Sequence, residues 1–150
     1  MTLLTPWGET LDPERVLPEY PRPQLVRDSY LNLNGYWEYA ITAASQTSRP
    51  RFDGRILVPF SPEAALSGVG RTLQPGEALW YRRTFTLPEG FLRDRVRLHF
   101  GAVDSDAEIW VNGVPVGGHS GGFLPFALDI SDALTGGEDE LVVRVRDVTD

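Results

Sequence analysis

The chain has 150 residues, of which 41% are hydrophobic and 23% charged, typical of one soluble domain that can bury a core without disulfides. Its formal net charge of −7 argues against nucleic acid as a partner, because phosphate binding draws on a concentrated cationic patch. The absence of cysteine excludes disulfides and thiolate metal sites.

The N-terminus carries no recognisable signal peptide. The first residues lack a charged segment followed by a long apolar run, and about 18 consecutive apolar residues occur nowhere in the chain. We therefore expect a soluble, cytoplasmic protein without a membrane partner.

Residues 1–30 are rich in proline and show no periodicity, which predicts an extended lead-in. We expect Trp7, Leu17 and Tyr20 to anchor it on the surface of the domain that follows. The predicted organisation is thus a lead-in over 1–30 and one β-domain over 31–150.

From residue 31 onward, apolar and polar residues alternate in five segments, which predicts strands with one buried and one wet face. Their apolar positions are Trp37, Tyr39 and Ile41; Tyr81, Phe85 and Leu87; Val96, Leu98 and Phe100; Ile109 and Val111; and Leu141, Val143 and Val145. Ala40, Arg82 and Arg144 fall on the predicted wet faces, and Arg55–Phe60 is a shorter strand candidate.

Turn signals separate these strands. Asn112-Gly113 predicts a tight hairpin, Glu138–Glu140 reads as a charged turn tip, and Ser61 could cap a one-turn helix that starts at Pro62. Many strands without a βαβ rhythm predict an all-β fold, an antiparallel β-sandwich.

A search for catalytic or metal-binding patterns finds no centre, so we expect no cofactor, metal or catalytic residue. Of the two histidines, His99 lies on the polar side of a strand, and His119 and Ser120 are neighbours whose side chains should point apart. Asp104 and Asp106 could bind calcium or a sugar, although a solvated turn and strand start is the preferred interpretation.

Three further residues break the alternating pattern. Arg83 shares the apolar face of its strand and should therefore be buried and paired, with a structural role preferred over ligand binding. Trp80 and Trp110 fall opposite the apolar positions of their strands, where each could form a stacking platform for a sugar or contact another domain. Pattern alone does not choose between a binding module and a structural one.

A series of short motifs, in order along nearly the whole chain, resembles the N-terminal domain of family 2 glycoside hydrolases, the β-galactosidase and β-glucuronidase group. The matching segments are PQLVR (23–27), LNLNGYW (31–37), VPFS (58–61), WYRRTF (80–85), FGAVD (100–104), WVNG (110–113) and HSGGFLPF (119–126) followed by Asp129-Ile130. Each motif alone is weak, but their shared order is specific.

This resemblance implies a jelly-roll sandwich similar to galactose-binding domains. In that family such a domain precedes an immunoglobulin-like domain and a (β/α)₈ barrel, and the barrel carries both catalytic glutamates of the retaining reaction. The barrel is absent from the 150 residues, so we expect this chain by itself to hydrolyse nothing.

The resemblance also implies two residues that reach the sugar pocket of an assembled enzyme. An Asp after the last strand lines that pocket in the β-galactosidases, and Asp150 matches its position. Ser61 stands nearest to an Asn that follows the VP segment in the family, a departure that leaves the sugar open. The implied partners are a glycoside substrate, the downstream immunoglobulin-like and barrel domains, and further copies of the full-length enzyme in a homo-oligomer.

Three hypotheses follow. The first is an accessory, non-catalytic sugar-binding domain of a retaining exo-glycosidase. The second is a freestanding lectin-like module that uses Trp80 or Trp110, and the third is a scaffold that binds neighbouring domains or subunits and no sugar.

Overall fold

The computed structural model describes residues 4–147 as eight strands and four short helical turns. One α-helical turn, α1, spans Pro6–Glu9, and 3-10 turns span Pro23–Leu25, Ala65–Ser67 and Ser131–Ala133. The strands are β1 (Gly35–Ala43), β2 (Gly54–Val58), β3 (Glu77–Thr86), β4 (Arg97–Phe100), β5 (Asp106–Val111), β6 (Val114–Ser120), β7 (Phe126–Asp129) and β8 (Glu138–Arg146). They divide between two compact units, the first formed by 4–37 and 55–72 and the second by 38–54 and 73–147.

The first unit contains the lead-in, which is held by side chains that bond the backbone. Val16 is buried, and the carbonyls of Val16 and Leu17 accept hydrogen bonds from Asn34 Nδ2 at 3.3 Å and Asn32 Nδ2 at 2.8 Å. Tyr20 packs edge to face against Tyr30 with ring centroids 4.6 Å apart. The two asparagines of the LNLN segment therefore hold the lead-in in place, because they donate hydrogen bonds to backbone carbonyls that lie outside any strand.

Two of the three predicted anchors of the lead-in are wrong. Trp7 is 80% exposed and Leu17 57% exposed, whereas Val16 is 2% exposed. The backbone explains why Val16 is buried in place of Leu17. The φ of Leu17 is 44°, in the left-handed region, and this turns its side chain away from the direction it would take in an extended chain. Tyr20, the third anchor, does make a ring contact.

The predicted helix at Pro62 is also wrong. Ser61–Ala64 forms a turn closed by the Ala64 N–H on the Ser61 carbonyl at 2.9 Å, and the 3-10 turn begins only at Ala65. Ser67 supplies the local polar bond instead, because its buried hydroxyl donates to the Pro62 carbonyl at 3.2 Å.

The second unit is the β-sandwich. Its large sheet has the strand order β1-β3-β8-β5-β6, and a two-stranded sheet of β4 and β7 forms the other layer. The pairings of β1 with β3, β3 with β8, β5 with β8, β5 with β6 and β4 with β7 are all antiparallel. The predicted all-β antiparallel sandwich is therefore confirmed.

The inner face of the large sheet carries the predicted core. Odd-numbered positions of β3, β5 and β8 point inward, and most of them are apolar and buried: Leu79, Phe85, Ala107, Ile109, Val111, Leu141, Val143 and Val145. Leu98 of β4 and Ile130, just after β7, are buried as well. Burial of these side chains is the main stabilising term of the unit.

Asp139 is an exception on that inner face, and the prediction of a simple turn tip at 138–140 is wrong. Its carboxylate is 1% exposed, and Oδ1 accepts hydrogen bonds from the Thr135 N–H at 2.8 Å, the Thr135 hydroxyl at 2.8 Å and Asn112 Nδ2 at 2.7 Å. Asn112 lies in the predicted hairpin turn, where it and Gly113 both have positive φ. One buried carboxylate thus ties the hairpin to the start of β8.

Candidate functional site

The outer face of the large sheet is formed by the even-numbered residues of the same strands. At its centre, Ala40, Trp80 and Val142 form a buried cluster, against which Phe52 and Trp110 pack. Phe52 belongs to residues 44–53, the connection between β1 and β2, which we call the strap. The Ala44 carbonyl of the strap accepts a hydrogen bond from Arg144 Nη2. The strap therefore lies over part of the outer face and encloses a second apolar cluster.

The structure brings the two predicted sugar platforms, Trp80 and Trp110, together. Their rings stack with centroids 5.8 Å apart and planes inclined by 18°, and Trp80 Nε1 donates to Thr42 Oγ1 at 3.0 Å. Trp80 is only 2% exposed, so its ring has no open face for a sugar. Trp110 is half-buried, and its role as a platform stays a prediction.

A ladder of alternating charges runs beside this aromatic cluster. Arg82 of β3 donates from Nε to Glu140 Oε2 at 2.6 Å and from Nη1 to Glu38. Arg49 of the strap meets the same Glu140 carboxylate with two bonds, of 2.5 and 2.7 Å. The ladder fastens the strap to β8 through paired guanidinium and carboxylate groups.

The ladder shifts the pKa of two of its members, Glu140 and Arg82. Burial alone would raise the pKa of Glu140, but the hydrogen bonds and charges of Arg49 and Arg82 outweigh it and lower that pKa. The same bonds to Glu140 and Glu38 raise the pKa of Arg82. Glu140 and Arg82 therefore stay ionised near neutral pH, and neither is suited to general acid–base chemistry there.

Arg144 is the member of this face that the alternating pattern misplaced. The pattern puts it on a wet face, yet its side chain is 4% exposed and donates to Glu108 Oε2 at 2.5 Å. Its guanidinium carbon lies 5.5 Å from the Trp80 ring centroid, in cation–π range. Arg83, predicted to be buried, is half-buried and has an interaction partner.

The strap does not reach the corner of the outer face where β5, β6 and β8 meet. Register pairs there place Asp106 opposite both Ser120 and Arg146, and Glu108 opposite Gly118. These residues line an open groove of about 330 Å³ together with Ala107 and His119. It is a concave feature of this face, and most of its lining side chains are polar.

Loops adjoin the groove at the end of β8. The Arg146 carbonyl accepts from the Ser105 N–H at 3.2 Å, and the Ser105 carbonyl accepts from the Gly121 N–H at 2.9 Å. The residue that follows the FGAVD motif thus meets the HSGG motif beside the last residue of β8. Asp104 lies in the turn and Asp106 opens β5, as their preferred interpretation predicts.

The remaining predicted site residues lie elsewhere. Ser61 is exposed in the first unit, and Asp150 lies outside the described residues. His99 is exposed on β4, as predicted, and the ring of His119 stacks on Phe126 with centroids 4.3 Å apart. Between residues 4 and 147, no three metal-ligating side chains gather into a possible ion site, and no helix is long and apolar enough to cross a membrane.

Comparison with known proteins decides the family. The model of the sugar-binding domain of glycosyl hydrolases family 2 matches residues 67–150, more than half of the chain. The chain belongs to glycosyl hydrolases family 2. This family 2 domain is 29% identical to a β-glucuronidase of Paenibacillus borealis over 136 residues, which cover 86% of the domain and 23% of that protein.

Two more comparisons extend this result. A β-galactosidase of Arthrobacter is 38% identical to the family 2 domain over 91 residues, 59% of this chain and 8% of that protein. The solved β-glucuronidase of Faecalibacterium prausnitzii superposes with a TM-score of 0.61 at 33% identity, over 76% of this chain and 20% of that one. The domain thus spans less than a quarter of the length of each of these relatives.

The structure explains several family motifs as architecture. The WVNG motif ends in the Asn112-Gly113 turn and supplies Asn112 to the Asp139 carboxylate, and the WYRRTF motif supplies Trp80 and Arg82 to the outer face. Sequence analysis missed Asp139, Glu140 and Arg144 as organising residues of the family 2 domain. The available signal was the opposite charges at cross-strand positions, which becomes visible only once the register is known.

Proposed function

We propose that this chain is a non-catalytic sugar-binding domain of a larger retaining exo-glycosidase that cleaves O-glycosidic bonds. The match of residues 67–150 to the sugar-binding domain of glycosyl hydrolases family 2 carries the proposal. In this arrangement a downstream barrel supplies two carboxylates, one as nucleophile and one as acid and base. An immunoglobulin-like domain joins the two parts, and the whole enzyme acts in the cytoplasm as a homo-oligomer.

The proposed contribution of this chain to the sugar pocket rests on two residues. Asp150 accepts hydrogen bonds from sugar hydroxyls, which a carboxylate does strongly because it is charged. Ser61 offers a hydroxyl at the turn after the VP segment, where its exposure leaves the side chain accessible to a ligand. β-Glucuronides are the first substrates to test, because relatives that span most of this chain bear the name β-glucuronidase.

The test uses the full product of the gene that encodes these residues. Assayed against a panel of nitrophenyl β-glycosides, it should hydrolyse at least one, and Asp150→Ala should lower kcat/KM by about tenfold or more, because a charged hydrogen bond contributes about 1.5–3 kcal/mol. Asp132→Ala, at an exposed carboxylate of the second unit, is the matched control and should leave kcat/KM unchanged. A product that hydrolyses no glycoside refutes the proposal, and unchanged kinetics in folded Asp150→Ala refutes the role of that residue.

A scaffold role is the second candidate, favoured by exposed apolar side chains. Trp7, Leu25 and Val26 of the first unit are 80%, 65% and 63% exposed, and large apolar surface left open often marks an interface. If the scaffold role dominates, Trp7→Ser in the full gene product should weaken its oligomer in analytical ultracentrifugation while the KM of the remaining oligomer stays the same. An oligomer as stable as the wild type contradicts this role for Trp7.

A further inference from the structure

The hairpin turn between β5 and β6 contains a chemically reactive pair of residues. When glycine follows asparagine, no side chain hinders the glycine nitrogen, which can attack the carbonyl carbon of the asparagine side chain. The chain contains this pair twice, as Asn34-Gly35 and Asn112-Gly113. Gly35 is buried, whereas Gly113 is exposed. The pair in the hairpin turn is therefore the one that water and solvent base can reach.

The side-chain amide of Asn112 is hydrogen-bonded at both its nitrogen and its oxygen. Nδ2 donates to the Ala133 carbonyl at 2.8 Å and to Asp139 Oδ1 at 2.7 Å. Oδ1 accepts from the Glu140 N–H at 2.8 Å, and the Asn112 N–H donates to the Glu140 carbonyl at 2.8 Å. These four bonds fix the amide against β8 and the turn that precedes it.

Asp139 is the charged partner among these groups. A carboxylate accepts hydrogen bonds more strongly than a carbonyl does, and Asp139 is buried, where water does not compete. Its Oδ1 is itself held by the N–H and the hydroxyl of Thr135, both at 2.8 Å. A continuous series of bonds from Thr135 through Asp139 thus keeps the Asn112 amide in place.

Attack by the Gly113 nitrogen requires a different arrangement. The Asn112 side chain must rotate until its carbonyl carbon lies over that nitrogen, which breaks its bonds to Asp139 and Glu140. Asn112 also has a φ of 51° and Gly113 a φ of 78°, the left-handed pair that a two-residue hairpin turn favours. The reaction therefore waits until the turn opens, and its rate follows the fraction of open molecules.

We propose that Asn112-Gly113 is a deamidation site that the Asp139 carboxylate keeps closed. When the turn opens, the Gly113 nitrogen loses its proton to solvent base and bonds to Cγ of Asn112. The Cγ–Nδ2 bond breaks, and ammonia leaves. Water then opens the resulting succinimide at either carbonyl, which yields an aspartate or an isoaspartate. This inference goes beyond the proposed function, because it needs neither a sugar nor a further domain.

The products oppose closure of the turn. An aspartate puts a second carboxylate in the position of Nδ2, which lies 2.7 Å from Asp139 Oδ1, and like charges at that distance repel. An isoaspartate adds a methylene to the backbone, which changes the geometry of the two-residue turn. Each opening that leads to reaction thus causes a permanent loss of the link between the hairpin and β8.

The test follows both Asn-Gly pairs of the 150-residue chain by mass spectrometry, with fragmentation that locates the gain in mass at Asn34 or Asn112. In mildly alkaline buffer with enough guanidinium chloride to unfold the chain, the two pairs should react at similar rates, because the dipeptide is the same. Without denaturant, Asn112 should react at least about tenfold more slowly than it does in the unfolded chain.

Asp139→Asn separates the role of the carboxylate from that of the fold. The variant removes the charge and should speed deamidation at Asn112 at least about fivefold, while the rate at Asn34 stays the same. Asp132→Asn, the same change at an exposed residue, should alter neither rate. If Asp139→Asn speeds both sites, it has unfolded the chain, and Thr135→Val, which removes one bond to Asp139, should then raise the rate at Asn112 alone.

Asn112→Asp tests whether the change is permanent. It carries the side chain of the product and should unfold at a lower urea concentration than the wild type at neutral pH. Three results would overturn the proposal: Asn112 reacts as fast in the folded chain as in the unfolded one; neither Asp139→Asn nor Thr135→Val raises the rate at Asn112 alone; or Asn112→Asp is as stable as the wild type. None of these results depends on glycosidase activity.

Discussion

The two faces of the large sheet are built from the same strands but are stabilised differently. On the inner face, apolar side chains such as Ile109, Leu141 and Val143 are nearly all buried and pack as one layer. On the outer face, Trp80 and Trp110 stack beneath the strap, and guanidinium–carboxylate pairs surround them. The inner face thus relies on apolar burial, whereas the outer face adds hydrogen bonds and charge.

This difference shows how a sheet face with polar residues can become a second core. Arg82 and Arg144 bury their stems against aromatic rings while their guanidinium groups find carboxylates or carbonyls. The strap supplies what the strands lack, because Phe52 covers the cluster and Arg49 completes the ladder. The part of the face without a strap is where the open groove of β5, β6 and β8 lies.

The largest expected effect tests whether the outer cluster is a true core. Trp80→Ala should lower the free energy of unfolding by about 4 kcal/mol, because it removes a fully buried aromatic side chain and leaves a cavity. Leu141→Ala on the inner face should cost about 3 kcal/mol. Urea denaturation followed by circular dichroism measures both, and Trp80→Phe provides a milder variant if Trp80→Ala does not fold.

The comparison between the faces fails if Trp80→Ala costs less than about 1 kcal/mol, the range of surface substitutions. Such a result would mean that the strap is loosely held and that the outer face is wet, as the alternating pattern predicts. If Trp80→Ala lowers the free energy of unfolding by at least as much as Leu141→Ala does, the outer cluster stabilises the unit as a second core.

An intermediate effect concerns the one buried carboxylate of the inner face. Hydrogen bonds from Thr135 and Asn112 outweigh the effect of burial and lower the pKa of Asp139. Asp139→Asn should destabilise the unit by about 2 kcal/mol, because an amide loses charge-assisted bonds and brings its own donors towards other donors. Asp132→Asn, the same change at an exposed residue, is the control for thermal unfolding, and equal unfolding midpoints in both variants would refute a structural role for Asp139.

The smallest effect is a pH dependence of the outer ladder. The pKa of Glu140 is lowered from its ordinary value of 4.5, so its stabilisation is present above that value and is lost as pH falls through the folded pKa. Glu140→Gln should cost about 1 kcal/mol at pH 7, because the pair with Arg49 is partly exposed to solvent. This difference should shrink as pH falls below about 4.5.

Glu138→Gln serves as the control for the ladder, since Glu138 is exposed two residues earlier on the same face of β8. Urea midpoints of the wild type and both variants, measured between pH 3 and pH 7, separate the specific pair from the overall charge. A Glu140→Gln loss that is the same at every pH would show that ionisation of Glu140 contributes nothing to the outer face.

Much of the fold could be predicted from the chain because alternation encodes strands. The segments around Ile109, Leu141 and Val143 have period-2 patterns and became β5 and β8, and Asn112-Gly113 formed the predicted hairpin turn. The family motifs predicted the membership that the match to residues 67–150 shows. The proposed roles of Asp150 and Ser61 rest on resemblance alone and stay predictions.

The sequence by itself determined which residues form strands, where the tight turn lies and which face is apolar, because these depend on neighbours within a few positions. Only the tertiary structure decided that Trp80 and Arg144 are buried, that Asp139 joins two loops and that the groove where β5, β6 and β8 meet is open. Those outcomes depend on contacts between residues up to 100 positions apart, as in the bond from Arg144 to Ala44. The alternating pattern predicts on which face of a strand a side chain lies. Whether that face is exposed to solvent depends on the path of the strap, which covers part of the outer face.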